Sequence, residues 1–320
     1  MLFRSEMALP FFISPTAAAR LFHIDGENAG ARAASQANIA YSLSTIGSTT
    51  IEDVAKAAPG HKFFQIYVWK DRGLVREAIA RAKAAGFTAI ILTVDVSVAG
   101  NRERDPRNGF AIPPKVNWQT ATQTLVKPAW LWDLVRSPPI TPANFSHAAK
   151  DARGGIMAFI NEQFDRTVTW KDAQWIAQEW GGPFAIKGIA TPQDAIKCLD
   201  SGASAVWVSN HGGRQLDTSP ATIDLLPPIV DAIAGRGEII FDGGIRRGTD
   251  IIKALALGAT ACAIGRAWLW GLAAGGEAGV TRALSLLESE LRRDLALERF
   301  PYWLNRKDSQ ISCDVIHHGG

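Results

Sequence analysis

The sequence predicts an α/β fold, a closed (β/α)8 barrel of the TIM type with a long inserted loop after its fourth strand. Three observations carry this. Eight short apolar runs recur along the chain, alanine-rich helical patterns lie between them, and reactive polar residues stand at the ends of the runs. Near-continuous apolar strands alternating with helices mark a parallel sheet covered on both faces. Eight such units suffice to close a barrel. A doubly wound sheet satisfies the same alternation and stays open until the strand ends are read.

Composition sets the bounds. The chain has 320 residues, of which 47% are hydrophobic and 20% charged, so it can bury a large core and is not disordered. The 29 glycines and 16 prolines are dispersed, which excludes collagen-like and low-complexity readings. A net charge of +3, from 34 basic and 31 acidic residues, gives no footprint for nucleic acid. Cys198, Cys262 and Cys313 are too far apart in sequence for a zinc motif or a disulfide framework. No metal is expected, and a reducing, cytoplasmic compartment is. Residues 1–320 read as one domain.

The elements follow in order. Ala8 to Ala19, behind Arg4, imitates a signal peptide loosely, but Glu6, Pro10 and Pro15 argue against it. The stretch reads better as a buried strand, Phe11–Ser14, ended by a turn at Pro15. Further strands are expected at Ala40–Ser44, Phe63–Val68, Ala89–Val94, Phe184–Lys187, Ala205–Ser209, Glu238–Phe241 and Ala261–Ile264. Helical patterns run over Arg76–Ala85, closed by Gly86, and over Asp250–Leu257, closed by Gly258. Another starts at Thr191-Pro192-Gln193-Asp194 and ends at Gly202. The apolar run Ala254–Gly265 is too short to span a membrane and is closed by Arg266.

One gap breaks the rhythm. About ninety residues separate strand four from strand five, and roughly 97–168 read as an insertion. From Val96 to Trp170 there are nine basic and six acidic residues, a difference equal to the net charge of the whole chain. Such a loop serves as a lid or a binding surface. Trp118, Trp130 and Trp132, with Lys115, Lys127 and Arg136, suit a membrane interface. The plainer reading, a lid packed on its own barrel or on a neighbouring subunit, is favoured. The tail, about 300–320, has no such pattern, and His317 and His318 have no metal-site spacing.

Active sites of these barrels are built from the C-terminal ends of the strands. Here those ends carry Gln65 and Tyr67, Thr93 and Asp95, Lys187, Ser209 through Arg214, Asp242-Gly243-Gly244 with Arg246, and Gly265-Arg266. One imidazole, a carboxylate, a lysine and several arginines thus surround a single mouth. The glycine turns after strands seven and eight let backbone N–H groups approach a phosphate, with Arg246 and Arg266 as forked cations. His211 suits a general base near neutral pH, with Asp95 to orient it. Arg214, three residues on, suits a carboxylate substrate.

The run Ser209-Asn210-His211-Gly212-Gly213-Arg214-Gln215-Leu216-Asp217 resembles the active-site signature of the FMN-dependent 2-hydroxy-acid dehydrogenases and oxidases. That family includes L-lactate dehydrogenase, mandelate dehydrogenase and glycolate oxidase. Supporting matches are Ser14-Pro15-Thr16-Ala17, Phe64-Gln65-Ile66-Tyr67, Leu92-Thr93-Val94-Asp95, Ile186-Lys187-Gly188 and Asp242 through Gly248, so the resemblance covers about residues 8–295. Asn101-Arg102-Glu103-Arg104-Asp105 resembles the L-lactate and mandelate dehydrogenase branch, some members of which contact the inner face of the bacterial membrane through this loop.

The resemblance implies FMN as cofactor and a small 2-hydroxy acid as substrate. Pro15, Thr16 and Ala17 would lie along the flavin, and Ser44, Gln65, Thr93 and Ser209 would bind it. Lys187 would face its pyrimidine end. Asp242, Gly244, Arg246, Gly265 and Arg266 would hold the phosphate and ribityl chain. Arg102 and Arg214 would grip the substrate carboxylate, Tyr67 would bond the substrate, and His211, supported by Asp95, would take its proton. Electrons would pass to a quinone or cytochrome. An oxidase that reduces oxygen to hydrogen peroxide and a non-catalytic barrel are the alternatives. Ile46 and Gly213 resemble dehydrogenase members more than oxidases. The resemblance also implies a homo-oligomer, often a tetramer. The family's segment ahead of the first strand, with its substrate-binding tyrosine, has no counterpart here, and Tyr41 is no positional match.

Overall fold

The computed structural model describes residues 2–3, 5–98, 100–109, 125–148 and 155–297. Cys313, His317, His318, Lys115 and Trp118 lie outside them. Eight parallel strands close into a barrel in sequence order: β1 Phe11–Thr16, β2 Tyr41–Ser44, β3 Lys62–Ile66, β4 Ala89–Thr93, β5 Phe184–Ile189, β6 Ala205–Val208, β7 Glu238–Phe241 and β8 Ala261–Ile264. The closing pair is β1 with β8, where Phe11 faces Cys262 and Ile13 faces Ile264. All eight expected strands are present, with ends shifted by a residue or two.

The first strand ends later than the sequence suggests. Pro15 does not terminate it. The pairing of β1 with β2 shifts register between Ile13 and Thr16, and Pro15 falls in that irregularity. A residue without an N–H is tolerated there, because no ladder bond is demanded of it.

Among the described residues the α-helices are α1 Gly26–Gln36, α2 Ile51–Ala57, α3 Arg72–Ala84, α4 Arg104–Arg107, α5 Pro128–Arg136, α6 Gly155–Gln163, α7 Trp170–Trp180, α8 Pro192–Asp200, α9 Thr222–Ile233, α10 Gly248–Ala256 and α11 Arg266–Leu297. The third starts a turn before the expected Arg76, because Asp71 caps it by accepting from the N–H groups of Gly73 and Leu74. The last is broken at Gly275 and Gly276, whose backbone angles are not helical.

Strand parity divides the core in two. One set of strand residues points outward against the helices, among them Ile13, Phe64, Ile90, Leu92, Ile186, Val206 and Ile264. The other set fills the barrel: Phe12, Phe63, Ile91, Ala185, Trp207, Ile240 and Ala263, sealed below by Leu2, Phe3 and Met7. Phe3 and Phe12 meet Phe63 edge-on, at 5.1 and 5.4 Å. Two residues further along β3 to β7 the same inward parity delivers Gln65, Thr93, Lys187, Ser209 and Asp242, all buried. The strand period of two therefore converts an apolar barrel floor into a polar mouth.

The segment between β4 and α7 carries α4, α5 and α6 and crosses the loops after β1, β2 and β3. Trp130 Nε1 donates to the Leu21 carbonyl at 2.8 Å, the Ala143 N–H donates to the Gly47 carbonyl at 2.9 Å, and Trp69 packs against Phe145 in a tilted pair with centroids 4.3 Å apart. This lid packs on its own barrel. Trp130 faces inward and is not part of an exposed aromatic face, whereas Trp132 is 62% exposed.

Candidate active site

His211 follows β6 at a strained position. It has φ +57°, and Gly212 and Gly213 follow at +66° and +72°. A non-glycine side chain held in the left-handed region points to a functional constraint. Its N–H donates to Ser209 Oγ at 3.1 Å, which fixes the turn. Its Nδ1 lies 3.1 and 3.2 Å from the two carboxylate oxygens of Asp95. That pairing leaves Nε2 as the nitrogen free to exchange a proton.

Asp95 reaches His211 because β5 makes room. Gly188 has φ +103°, and a Cβ there would lie 2.7 Å from the Asp95 Cβ. Burial opposes the charge on Asp95, but the Lys187 ammonium and the hydrogen bond to His211 outweigh it, so the carboxyl is held below its ordinary range. Asp95 therefore stays ionised at neutral pH.

Lys187 lies at the floor of the mouth. Its Nζ donates to Ser209 Oγ at 2.8 Å and pairs with Asp242 Oδ2 at 3.4 Å. Ser209 Oγ donates to Asp242 Oδ1 at 2.6 Å, and Trp207 Nε1 donates to Oδ2 at 3.0 Å. Asp242 thus stands in a buried cluster with Lys187, whereas Arg246 and Arg266 are exposed. Ser44 Oγ donates to Gln65 Oε1 at 3.2 Å and joins β2 to β3.

A cleft of about 350 Å³ opens above this floor. Tyr67, Arg102, Asp105, His211 and Gln215 bring polar groups to it, and Ile46, Val96, Ile160 and Phe164 give it an apolar wall. Burial and the nearby Asp95 charge push the Tyr67 phenol upward, against smaller opposing effects of Arg102 and Gln65, so it remains a donor. Arg214 is half-exposed, with Nη2 4.0 Å from Asp105 Oδ2. Burial lowers its pKa, and the neighbouring Arg102 charge adds to that. Arg102 and His211 thus line the opening, and Arg214 stands beside it near Asp105.

The same mouth fits a flavin mononucleotide. The hydroxyl oxygens of Thr16 and Thr93, at the ends of β1 and β4, are buried and have no hydrogen-bond partner among the described residues. A lone buried hydroxyl costs about 1–3 kcal/mol, so a polar ligand group at each is favoured. A Cβ built at Gly244, φ +86°, or at Gly265 meets no atom within 4 Å. Both turns therefore expose backbone to open space, and Pro15 and Ala17 border the same rim at the end of β1. Arg266 Nη2 comes within 3.8 Å of the Cβ position of Gly212, close to the β6 loop. No cluster of residues able to hold a metal ion occurs among the described residues.

Several site residues carry no signal in the sequence. Ile160 and Phe164 reach the cleft from the inserted segment, and their separation from β4 hides this. Glu27 is fully buried on α1 and accepts from the N–H groups of Ala19 and Ser48 and from the hydroxyls of Ser48 and Thr49. It ties the β1 and β2 loops together. In sequence it looks like any first-turn glutamate.

Barrel, buried lysine, histidine–carboxylate pair and cation-lined mouth define a flavin-dependent oxidoreductase acting on an acidic small molecule. The chain belongs to the FMN-dependent dehydrogenase family, whose description matches residues 1–298. It is 44% identical over 295 residues to L-lactate oxidase of Nostoc sp., covering 91% of this chain and 76% of that one. It is 40% identical over 299 residues to L-lactate dehydrogenase of Caulobacter vibrioides, covering 92% and 78%. The crystal structure of the monotopic membrane protein (S)-mandelate dehydrogenase superposes with a TM-score of 0.85 at 38% identity, over 90% of this chain and 76% of that one. The family uses FMN to oxidise 2-hydroxy acids.

Proposed function

We propose that this chain oxidises an L-2-hydroxy acid, lactate- or mandelate-like, to the 2-oxo acid and passes the electrons to a quinone- or cytochrome-type acceptor. The observation that carries the reading is the His211–Asp95 pair at 3.1 Å, opening on the cleft shared with Tyr67 and Arg102. Arg102 and Arg214 bind the substrate carboxylate, for which the forked guanidinium is suited. Tyr67 donates to a substrate oxygen. His211 Nε2 accepts the substrate proton, and the ionised Asp95 stabilises the resulting imidazolium. FMN, when bound, supplies the acceptor for two electrons. Pro15, Thr16, Ala17, Ser44, Gln65, Thr93, Lys187 and Ser209 hold its ring and chain. Gly244, Arg246, Gly265 and Arg266 would hold its phosphate end, and Asp242, paired with Lys187 in the buried cluster, would bind its ribityl chain.

The apolar wall of the cleft suits a hydrocarbon side chain on the substrate. Ile46 and Gly213 favour the dehydrogenase over the oxygen-consuming oxidase. Peripheral contact with the inner face of the cell membrane is part of the same proposal. The exposed Leu125, Val126, Trp132 and Val135 lie beside Lys127 and Arg136, and no described helix is long and apolar enough to cross a bilayer. A homo-oligomer rests on the family resemblance alone.

The test is anaerobic. L-lactate or (S)-mandelate bleaches the flavin band of the yellow protein, and His211→Gln keeps the flavin while slowing bleaching by about 10²–10⁴-fold. A colourless protein that takes up no added FMN overturns the enzyme reading. Peroxide formed in proportion to substrate overturns the dehydrogenase assignment.

A further inference from the structure

Gln215 follows Arg214 within the signature run, yet the chemistry above gives it no task. Its side chain makes three hydrogen bonds, all to the loop after β4. Nε2 donates to the Asp95 carbonyl at 3.2 Å and to the Val98 carbonyl at 3.0 Å, and Oε1 accepts from Arg102 Nη2 at 3.3 Å. Both amide protons and the amide oxygen are thus engaged. The two ends of this bridge are the loops that carry the proposed machinery. Asp95 and Arg102 stand on one, His211 and Arg214 on the other.

A second feature shows that the loops are built to touch. A Cβ at Gly100 would lie 2.3 Å from the Arg214 carbonyl oxygen and 2.7 Å from the Gln215 Cα. Only a residue without a side chain allows the backbones this approach. The contact holds the Arg102 stem beside the Gln215 amide.

We infer that Gln215 is a positioning residue that aims Arg102 at the substrate carboxylate and holds the Asp95 backbone in register with His211. The inference rests on the proposed substrate-carboxylate site. An amide suits this post better than a carboxylate. Arg102 keeps its full charge for the substrate, because its partner is neutral. A glutamate would pair with Arg102 and compete with the substrate, and it would offer no protons to the two carbonyls.

Binding is read without turnover, using oxalate, a two-carbon dicarboxylate that has no α-hydrogen to lose. Titration into the FMN-loaded protein is followed by the change in flavin absorbance. Gln215→Met, of similar length and without hydrogen bonds, retains FMN and raises the oxalate Kd about tenfold, and in separate turnover assays with L-lactate or (S)-mandelate KM rises more than kcat falls. Gln215→Glu raises the Kd further, and its deficit grows with pH as the new carboxyl ionises. Gln215 is partly exposed, so either variant folds on the parent scaffold. Unchanged oxalate affinity in Gln215→Met, or a Gln215→Glu protein that binds as the parent does, overturns the inference. A parent that binds oxalate yet is bleached by no 2-hydroxy acid sinks the proposed oxidation and leaves the test of Gln215 standing.

Discussion

Thr93 shows what a single buried atom can reveal. Its hydroxyl, at the inward-facing end of β4, is buried and has no partner among the described residues. Thr93→Val removes an unsatisfied polar group and keeps the shape. The apoprotein is then expected to gain about 1 kcal/mol in urea unfolding, because the desolvation cost disappears. FMN affinity is expected to fall by about tenfold, since the group lost is the one a flavin atom would bond, worth about 1.4 kcal/mol. A variant that loses stability without FMN places the Thr93 partner inside the protein. The type of residue at this position was legible in the sequence, because Thr93 ends an apolar run. Its lack of a partner was not, because satisfaction depends on neighbours from other strands.

At the scale of the element, strands were far more legible than loops. A buried parallel strand writes itself as a short apolar run, so all eight were found. Their polar ends followed from the same parity that places Phe63 before Gln65 and Trp207 before Ser209. The path of the inserted segment was illegible, because its anchors join residues remote in sequence, such as Trp130 with Leu21 and Asn144 with Ile51. Trp130 and Trp132 stand two apart on α5 and face opposite ways, a distinction that no composition argument makes. Glu27 belongs to this scale too, because it ties two loops from one helix. Glu27→Ala leaves the Ala19 and Ser48 amides and two hydroxyls without their acceptor. One unpaired buried donor costs about 1–3 kcal/mol, so a loss of about 3 kcal/mol or more in urea unfolding is expected, with weaker FMN binding because Thr16 and Ser44 border those loops. A loss below about 0.5 kcal/mol, the range of an ordinary surface change, contradicts a load shared by both loops.

Across the whole molecule, the lid stands on two arginines whose carboxylate partners Glu52 and Asp165 answer to pH. Arg81 on α3 grips Glu52 of α2 with two bonds of 2.8 Å, and its remaining nitrogen donates to the Asn144 carbonyl of the lid at 2.9 Å. Arg72, at the start of α3, holds Asp165 and Asp172 at 2.8 Å each, where the lid returns to the barrel. Hydrogen bonding by Arg81 lowers Glu52 to about 2, and Asp165 is lowered to about 2 by hydrogen bonds from Thr167 and, to a smaller extent, by Arg72. Both carboxyls titrate lower in the folded state than in the unfolded one. Their contribution is therefore complete above the unfolded values of 4.5 and 3.8 and is lost as pH falls toward about 2. Solvent screens both sites, so each effect is small and the two act together on one segment. The barrel itself is held by apolar burial, which is insensitive to these protons. Acidification from pH 5 to about pH 2 is thus expected to loosen the lid before the barrel melts. Pepsin digestion at about pH 2.5 would cut within residues 98–169 while the far-ultraviolet circular dichroism of the barrel persists. Simultaneous loss of both signals would show that lid and barrel unfold as one unit. Arg81→Met would move lid cleavage to a higher pH, because the tie to Asn144 and the stabilising pair with Glu52 would already be gone before any acid is added.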